Sequence, residues 1–313
     1  MEAVIQVSNL SKTYGSVVAL ERVSFYVQSG EIFGFLGPNG AGKTTMVNIL
    51  SAQLTPSSGV ATVMGQDCAE NTRAVKSLVG VAPANPRSLY WRLTGEENLK
   101  RLLPLYYLRR GQGYHRIEGL LRQVGLYDWR HQLVGNYSTG MRARLMLAKA
   151  MLHDPPILIL DEPWATLDPE GRLELIEYLR TMARDNKRTI LVCAHDLALM
   201  ERVCSRVAVL HRGKILFQGT IDNLREQQGL GHVMEIDFVE GADVEALIEQ
   251  CARMFDLYHR DGWRLRIVTP DIGSSLRFLN SLPYDTISAV TVRKFSLEDA
   301  YLLMMRNSRG TAI

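Results

Sequence analysis

The chain has 313 residues, 46% of them hydrophobic and 22% charged, and carries a formal net charge of +3. That length suggests two domains, and that balance is ordinary for a globular protein and too weakly basic to argue for a nucleic-acid partner. The four cysteines, Cys68, Cys193, Cys204 and Cys251, include no C-x-x-C pair, so a disulfide frame or a zinc site is excluded and reduced cytosolic thiols are expected. No apolar run approaches the roughly 18 residues of a membrane span, and Met1 to Leu10 lack the basic start and apolar core of a signal peptide. The expectation is a soluble chain, or one held at a membrane by a partner.

In chain order, Val4–Val7 and Val23–Val27 alternate apolar and polar residues and read as strands. Between them Tyr14 precedes Gly15; it is either a core aromatic or an exposed platform on which a flat base stacks. Glu31–Leu36 is mostly apolar, a buried strand, and Thr44–Ala52 runs without Pro or Gly as a helix. Between strand and helix lies Gly37-Pro38-Asn39-Gly40-Ala41-Gly42-Lys43-Thr44, which reads G-x-x-x-x-G-K-[ST], a phosphate-binding loop in the context that motif requires. Its glycines let the backbone turn tightly and bring N–H groups close to phosphate oxygens, and the helix that follows points its positive end at them. Lys43 can reach the outer phosphates and the Thr44 hydroxyl can ligate Mg²⁺.

After a turn at Thr55–Gly59 come strands at Val60–Met64 and Leu78–Ala82. From about Leu89 to Trp129 the spacing of Leu93, Leu99, Leu102 and Leu103, and then of Ile117, Leu120, Leu121 and Val124, predicts helices broken at Pro104 and at Gly111–Gly113. This is a helical insertion in an α/β domain. Arg101, Arg109, Arg110, Arg116, Arg122 and Arg130 make it basic, either as a solvated face or as a surface for anionic lipid headgroups.

Asn136–Gly140 is a polar turn that opens a helix over Met141–Leu152, with Ser138 or Thr139 as its cap. Ile157–Leu160 is a fully apolar strand ending in Asp161 and Glu162. Two carboxylates there are costly unless they act, and behind a phosphate loop the first would hold Mg²⁺ and the second would polarise a water. Leu173–Ala183 reads as a helix and Thr189–Cys193 as a strand, with His195 just past its end, where ligands of open α/β sheets bind. Val207–Leu210 and Lys214–Phe217 form a hairpin around Arg212-Gly213.

A boundary falls near Gly229–Gly231. Beyond it strands are expected at Val233–Val239, Arg264–Val268 and Thr286–Val292, and helices at Val244–Met254, Ser274–Leu282 and Leu297–Met305. Residues 232–313 hold nine Lys or Arg and twelve Asp or Glu, a net of −3, which argues against a DNA-binding tail.

Together these residues resemble the ATP-binding subunits of ABC transporters, closely over Val4–Thr220 and more weakly beyond. Gly37 to Thr45 resembles the Walker A loop and Ile157–Glu162 the Walker B strand with its catalytic glutamate. Ser138-Thr139-Gly140-Met141 is similar to the signature motif, Leu167-Asp168 to the D-loop, His195 to the switch histidine and Tyr14 to the adenine-stacking aromatic. Two departures stand out: Ala84, then Asn85, occupies the place of the usual Q-loop glutamine, and Thr166 stands where Gly or Ala is commoner. The S-T-G-M signature and Val292–Tyr301 are similar to ATPases serving ABC-2 type exporters.

The resemblance implies an α/β fold: a P-loop NTPase core over residues 1–230, with its helical subdomain at about 89–155, and a small α+β domain over 231–313. It implies ATP and Mg²⁺, the metal on Thr44 and Asp161, with Glu162 and His195 catalytic. Tyr14, Gly37, Pro38, Asn39, Gly40, Ala41, Gly42, Lys43, Thr44 and Thr45 would bind nucleotide, joined by Ser138, Thr139, Gly140, Met141 and Asp168. One loop and one signature per chain imply a second ATPase chain, in the simplest case an identical one. The other implied partner is a polytopic permease of the ABC-2 type holding the chain at the cytoplasmic face; no nucleic acid is expected. The alternatives are an importer ATPase with a regulatory C-terminal domain, a soluble ABC ATPase acting on ribosomes or DNA, and a non-hydrolysing regulatory subunit.

Overall fold

A computed structural model describes residues 2–83, 88–185, 188–228, 231–239 and 258–307. The chain divides into two compact units, Met1–Gln218 and Gly219–Ile313. Among the described residues no helix is long and apolar enough to cross a membrane.

The first unit opens with a long hairpin, β1 (Ala3–Tyr14) and β2 (Val17–Gln28). Both strands exceed their sequence expectation, because four register shifts in their pairing break the alternation that marks a strand. With β4 (Ser58–Val63) and β5 (Gln66–Asp67) they form an antiparallel sheet in the order β2-β1-β4-β5.

The second sheet is built on β3 (Ile32–Leu36), β6 (Val79–Ala82), β7 (Ile157–Asp161), β8 (Thr189–Ala194), β9 (Arg206–His211) and β10 (Lys214–Gly219). Its order is β10-β9-β3-β8-β7-β6, and β9, β3, β8, β7 and β6 pair in parallel. Every residue of β3 and β8 is buried, as expected of strands covered on both faces. The two sheets share one core: Phe25 of β2 lies 5.7 Å from Phe33 and 5.3 Å from Phe35 of β3, ring centroid to centroid. The apolar face of α1 (Lys43–Leu50), with Met46, Ile49 and Leu50, joins the same cluster.

After α2 (Thr72–Leu78) and β6 comes the helical insertion, with α3 (Gly95–Lys100), α4 (Arg110–Gln123) and α5 (Thr139–Ala150). A capping box starts α3: Thr94 Oγ1 accepts from Glu97 N at 3.2 Å and Glu97 Oε2 from Thr94 N at 2.8 Å. The helices are broken around Pro104, as the sequence predicts: α3 ends at Lys100, Pro104 sits in a single 3₁₀ turn, Leu103–Tyr106, and α4 begins at Arg110. The glycines do not break a helix. They lie in the first turn of α4, where Leu103 packs so closely that a Cβ on Gly113 would meet it at 2.6 Å.

The basic residues of the insertion are largely engaged within the fold. Arg116 donates to the carbonyls of Leu152 and Met151 at 2.6 and 2.7 Å and to Asp154 at 2.9 Å, closing the end of α5. Asp154 also accepts from Arg188 at 2.6 Å, so one carboxylate ties the insertion to the start of β8. Arg122 and Arg130 lie over the Tyr127 ring, and Arg101 over Tyr90. After β7 the core is completed by α6 (Pro169–Asp185) and α7 (Leu197–Val203). Cys68, Cys193 and Cys204 are free and buried, and burial pushes the Cys68 thiol up to about 12. Cys251 lies outside the described residues.

The second unit begins with α8 (Ile221–Gln228), upstream of the boundary expected near residue 230. Its sheet is β11 (His232–Phe238), β12 (Tyr258–Asp261), β13 (Arg264–Thr269) and β14 (Ile287–Lys294), ordered β12-β13-β11-β14 and antiparallel throughout. The helix expected at Val244–Met254 lies outside the described residues. Phe278 of α9 (Ile272–Asn280) packs with Met234, Ile236, Leu265 and Ile267 as the unit's core. The final helix, α10 (Leu297–Asn307), is fixed at its start by Asp299. That buried carboxylate accepts from both terminal nitrogens of Arg293 at 2.5 and 2.8 Å and from Ser296 N at 2.9 Å.

Burial alone would raise the Asp299 carboxyl, but the hydrogen bonds from Arg293 and Ser296 outweigh it and hold the group below the usual range. A depressed carboxylate stabilises the fold above its unfolded value of about 3.9 and loses that contribution as pH falls through the lower folded value. Asp299→Ala is therefore expected to cost about 1–3 kcal/mol at neutral pH. The deficit should shrink on acidification below about pH 4, read by chemical denaturation of wild type and variant across pH.

Candidate functional site

The sheet order carries three chain segments to one edge. β3, β8 and β7 are adjacent and parallel, so the Gly37 loop, His195 and the Asp161–Glu162 pair all leave from the same carboxyl-terminal edge.

The loop keeps its shape through backbone contacts that admit no side chain. A Cβ on Gly37 would lie 2.3 Å from the carbonyl oxygen of Leu210 on β9. Gly42, at φ 112°, is left-handed, and a Cβ there would meet the Ala19 carbonyl oxygen at 2.5 Å. The β9–β10 hairpin braces the loop from outside. Arg212 and Gly213, at φ 46° and 78°, form a two-residue turn with both central residues at positive φ, and Gly213 N donates to Ala41 O at 3.1 Å. The hairpin was legible in sequence, but its bond to the loop was not.

Helix α1 starts at Gly42 with no side-chain cap, so its first N–H groups are offered to an anion. Lys43 is 7% exposed and donates its Nζ to the carbonyls of Gly37 at 2.6 Å and Pro38 at 3.1 Å. The side chain thus curls over the loop that a phosphate would fill. Asn39, Gly40 and Thr44 are exposed, while Ala41 is buried and Pro38 and Thr45 half-buried. Thr44 lines the same cleft as Asp161.

Burial, then the charge of Glu162, raises the Asp161 carboxyl above its usual range, with Lys43 opposing. Glu162 sits at φ 50° and is anchored by its N–H on Cys193 O at 2.8 Å. Its Oε1 lies 2.7 Å from His195 Nδ1, and its Oε2 is buried without a hydrogen-bond partner. The Glu162 side chain is 14% exposed and that of His195 62%. A carboxylate held at one oxygen and without a hydrogen-bond partner at the other has the chemistry to accept a proton or orient a water.

Tyr14 is 47% exposed at the tip of the β1–β2 hairpin, with Lys12 Nζ 5.3 Å from the ring centre. It is therefore not a core aromatic, and one face of the ring is capped by the Lys12 ammonium. Ser138 caps α5, its Oγ accepting from Met141 N at 3.1 Å; Thr139 is exposed and Gly140 and Met141 half-exposed. Asp168 Oδ1 accepts from Gly171 N at 2.8 Å at the start of α6. Ala84 and Asn85 lie outside the described residues. Among the described residues no group of three or more His, Cys, Asp or Glu could hold a metal ion. A divalent cation here would take Thr44 and Asp161 and complete its shell from phosphate and water, as Mg²⁺ does at nucleotide sites.

Sequence reasoning missed Asn98. This buried residue accepts from Tyr90 N at 2.8 Å and donates to Tyr90 O and Thr94 O, so it fixes the backbone of exposed Tyr90, next to exposed Trp91. The capping-box spacing of Thr94 and Glu97 just before it was the available signal.

The ABC transporter family profile matches residues 20–165. The ABC transporter ATP-binding protein NatA of Bacillus subtilis is 37% identical over 212 residues, covering 68% of this chain and 86% of that one. The bacitracin transport ATP-binding protein BcrA of Bacillus licheniformis is 31% identical over 312 residues, covering 97% and 98%. A solved ATP-binding subunit of an ABC transporter matches with a TM-score of 0.66 at 31% identity, covering 79% of this chain and 98% of that one. The chain belongs to the ATP-binding subunits of ABC transporters, P-loop ATPases whose hydrolysis is coupled to transport.

The packing at Gly37 makes a direct prediction. Gly37→Ala cannot be absorbed without moving β9 or the loop, and should cost about 1–3 kcal/mol and abolish nucleotide binding. Thermal melts and titration with a fluorescent ATP analogue check both.

Proposed function

We propose that this chain is the ATP-hydrolysing subunit of an ABC-2 type exporter, working as a pair of identical chains beneath a polytopic permease at the cytoplasmic face of the membrane. The observation that carries the catalytic reading is the Glu162–His195 pair beside the Lys43 loop, with Glu162 Oε2 buried and unpartnered. The export reading is supported by relatives named for bacitracin transport and, in one Escherichia coli protein 36% identical over 226 residues, for probable multidrug transport.

In this reading Tyr14 stacks adenine, and the backbone from Gly37 to Thr45 with Lys43 takes the phosphates. Thr44 and Asp161 hold Mg²⁺, which when bound supplies charge neutralisation at the phosphates. Glu162 Oε2 accepts a hydrogen bond from the attacking water and draws off its proton. His195 holds Oε1, so that the free oxygen keeps one direction, and its exposed ring reaches toward the terminal phosphate. Ser138, Thr139, Gly140 and Met141 present the start of α5 to the nucleotide of the second chain, with Asp168 beside that junction. A half-buried or exposed cap suits a group that meets its ligand across an interface. Exposed Tyr90 and Trp91, held by Asn98, are the contact offered to the permease.

Glu162→Gln keeps the shape and removes the base. Turnover is expected to fall by about 10²–10⁴-fold, with ATP binding retained and an ATP-bound dimer accumulating in sedimentation. Wild-type-like hydrolysis by this variant would remove Glu162 from its role.

A further inference from the structure

The stretch Trp91–Thr94 runs beside the chain that leads into α5. Val134 N donates to Leu93 O and Gly135 N to Trp91 O, both at 2.9 Å. These main-chain ties stop short of Ser138, the cap of α5.

One side chain carries the connection further. Arg142 lies on α5, one turn past the cap, and its backbone N–H donates to Ser138 O at 3.0 Å. Its Nη1 donates to Tyr137 O at 2.5 Å, on the other side of the cap. Its guanidinium carbon also lies 5.0 Å from the centre of the Trp91 ring, within reach of a cation–π contact. Among the described residues, the carbonyl and the ring are the partners of this charge. An Arg can serve both at once, because its planar group has several donors; a Lys ammonium is a single point charge on a flexible stem. Arg142 is half-buried, whereas Trp91 is 54% exposed and open to a partner.

We propose that Arg142 is a positioning residue that ties Trp91 to the Ser138 turn. Through it, the surface offered to the permease governs how readily two chains close on ATP. With the tie in place the turn is held in one arrangement; without it, closing must also order the turn, and the pair is weaker. This rests on the paired-chain reading above.

The test uses the full chain carrying Glu162→Gln, the variant expected to accumulate ATP-bound pairs. Sedimentation in ATP reads the dissociation constant of the pair, and a fluorescent ATP analogue reads nucleotide affinity of the single chain. Each pair holds two such turns, so Arg142→Ala should weaken it by about tenfold or more, and Trp91→Ala by about fivefold or more. Analogue affinity and the thermal melt should not change, because the Lys43 loop and Tyr14 are untouched. Trp91→Phe keeps an aromatic face and should pair like the parent; Trp91→Leu keeps apolar bulk without one and should pair like Trp91→Ala. Added to Arg142→Ala, Trp91→Ala should cost nothing more. Pairing of Arg142→Ala equal to the parent, equal pairing of Trp91→Leu and Trp91→Phe, or additive losses in the double variant would overturn the tie. So would a lowered melt or weakened analogue binding in both single variants, which would mark a role in folding alone. No ATP-dependent pair in the parent would overturn the paired-chain reading and the tie with it.

Discussion

The hydrogen bond between His195 and Glu162 is the constraint on which the rest depends. A carboxylate this deeply placed is costly unless its oxygens are used. One is used by His195 at 2.7 Å, and the other is buried without a hydrogen-bond partner. That arrangement requires β7 and β8 to be neighbours and parallel, and it requires β3 on the other side of β8 to deliver the phosphate loop to the same edge. The fully buried β3 and β8 and the nearly buried β7 are thus a mount for three chain turns, and the apolar runs of the sequence specify it.

Much of this was legible in the residues. Ile157–Leu160 and Thr189–Cys193 are uninterrupted apolar runs, and the glycine loop has a spacing that few other structures need. Local patterns failed where the deciding contact is distant. The polar stretch Ser8–Thr13 does not alternate, yet it pairs across β1 with both β2 and β4 through bulges. Gly111–Gly113 read as a break, but both glycines lie in the first turn of α4, where Leu103 packs against Gly113. Arg116 read as surface charge, but its partners are carbonyls 35 and 36 residues away. The brace from Gly213 to Ala41 joins residues far apart in the sequence, and no local motif announces it.

The insertion and the core are joined unevenly. At the end of α5, Arg116, Asp154 and Arg188 form a polar clasp, and His153 Nε2 lies 3.2 Å from the Val79 carbonyl oxygen of β6. At the start of α5, the cap Ser138 is exposed and the contact with α6 is under-filled. In the second unit the Arg293–Asp299 pair fixes α10 to β14, which explains why charged residues recur in a segment that carries no catalytic motif.

The proposed function requires that two copies of this chain complete each ATP site. The most direct measurement is the rate of ATP hydrolysis per chain over a range of chain concentrations, with sedimentation in ATP on the same samples. A composite site predicts a per-chain rate that rises with concentration and follows the fraction of dimer. A per-chain rate that stays constant into the range where only monomer sediments would contradict it.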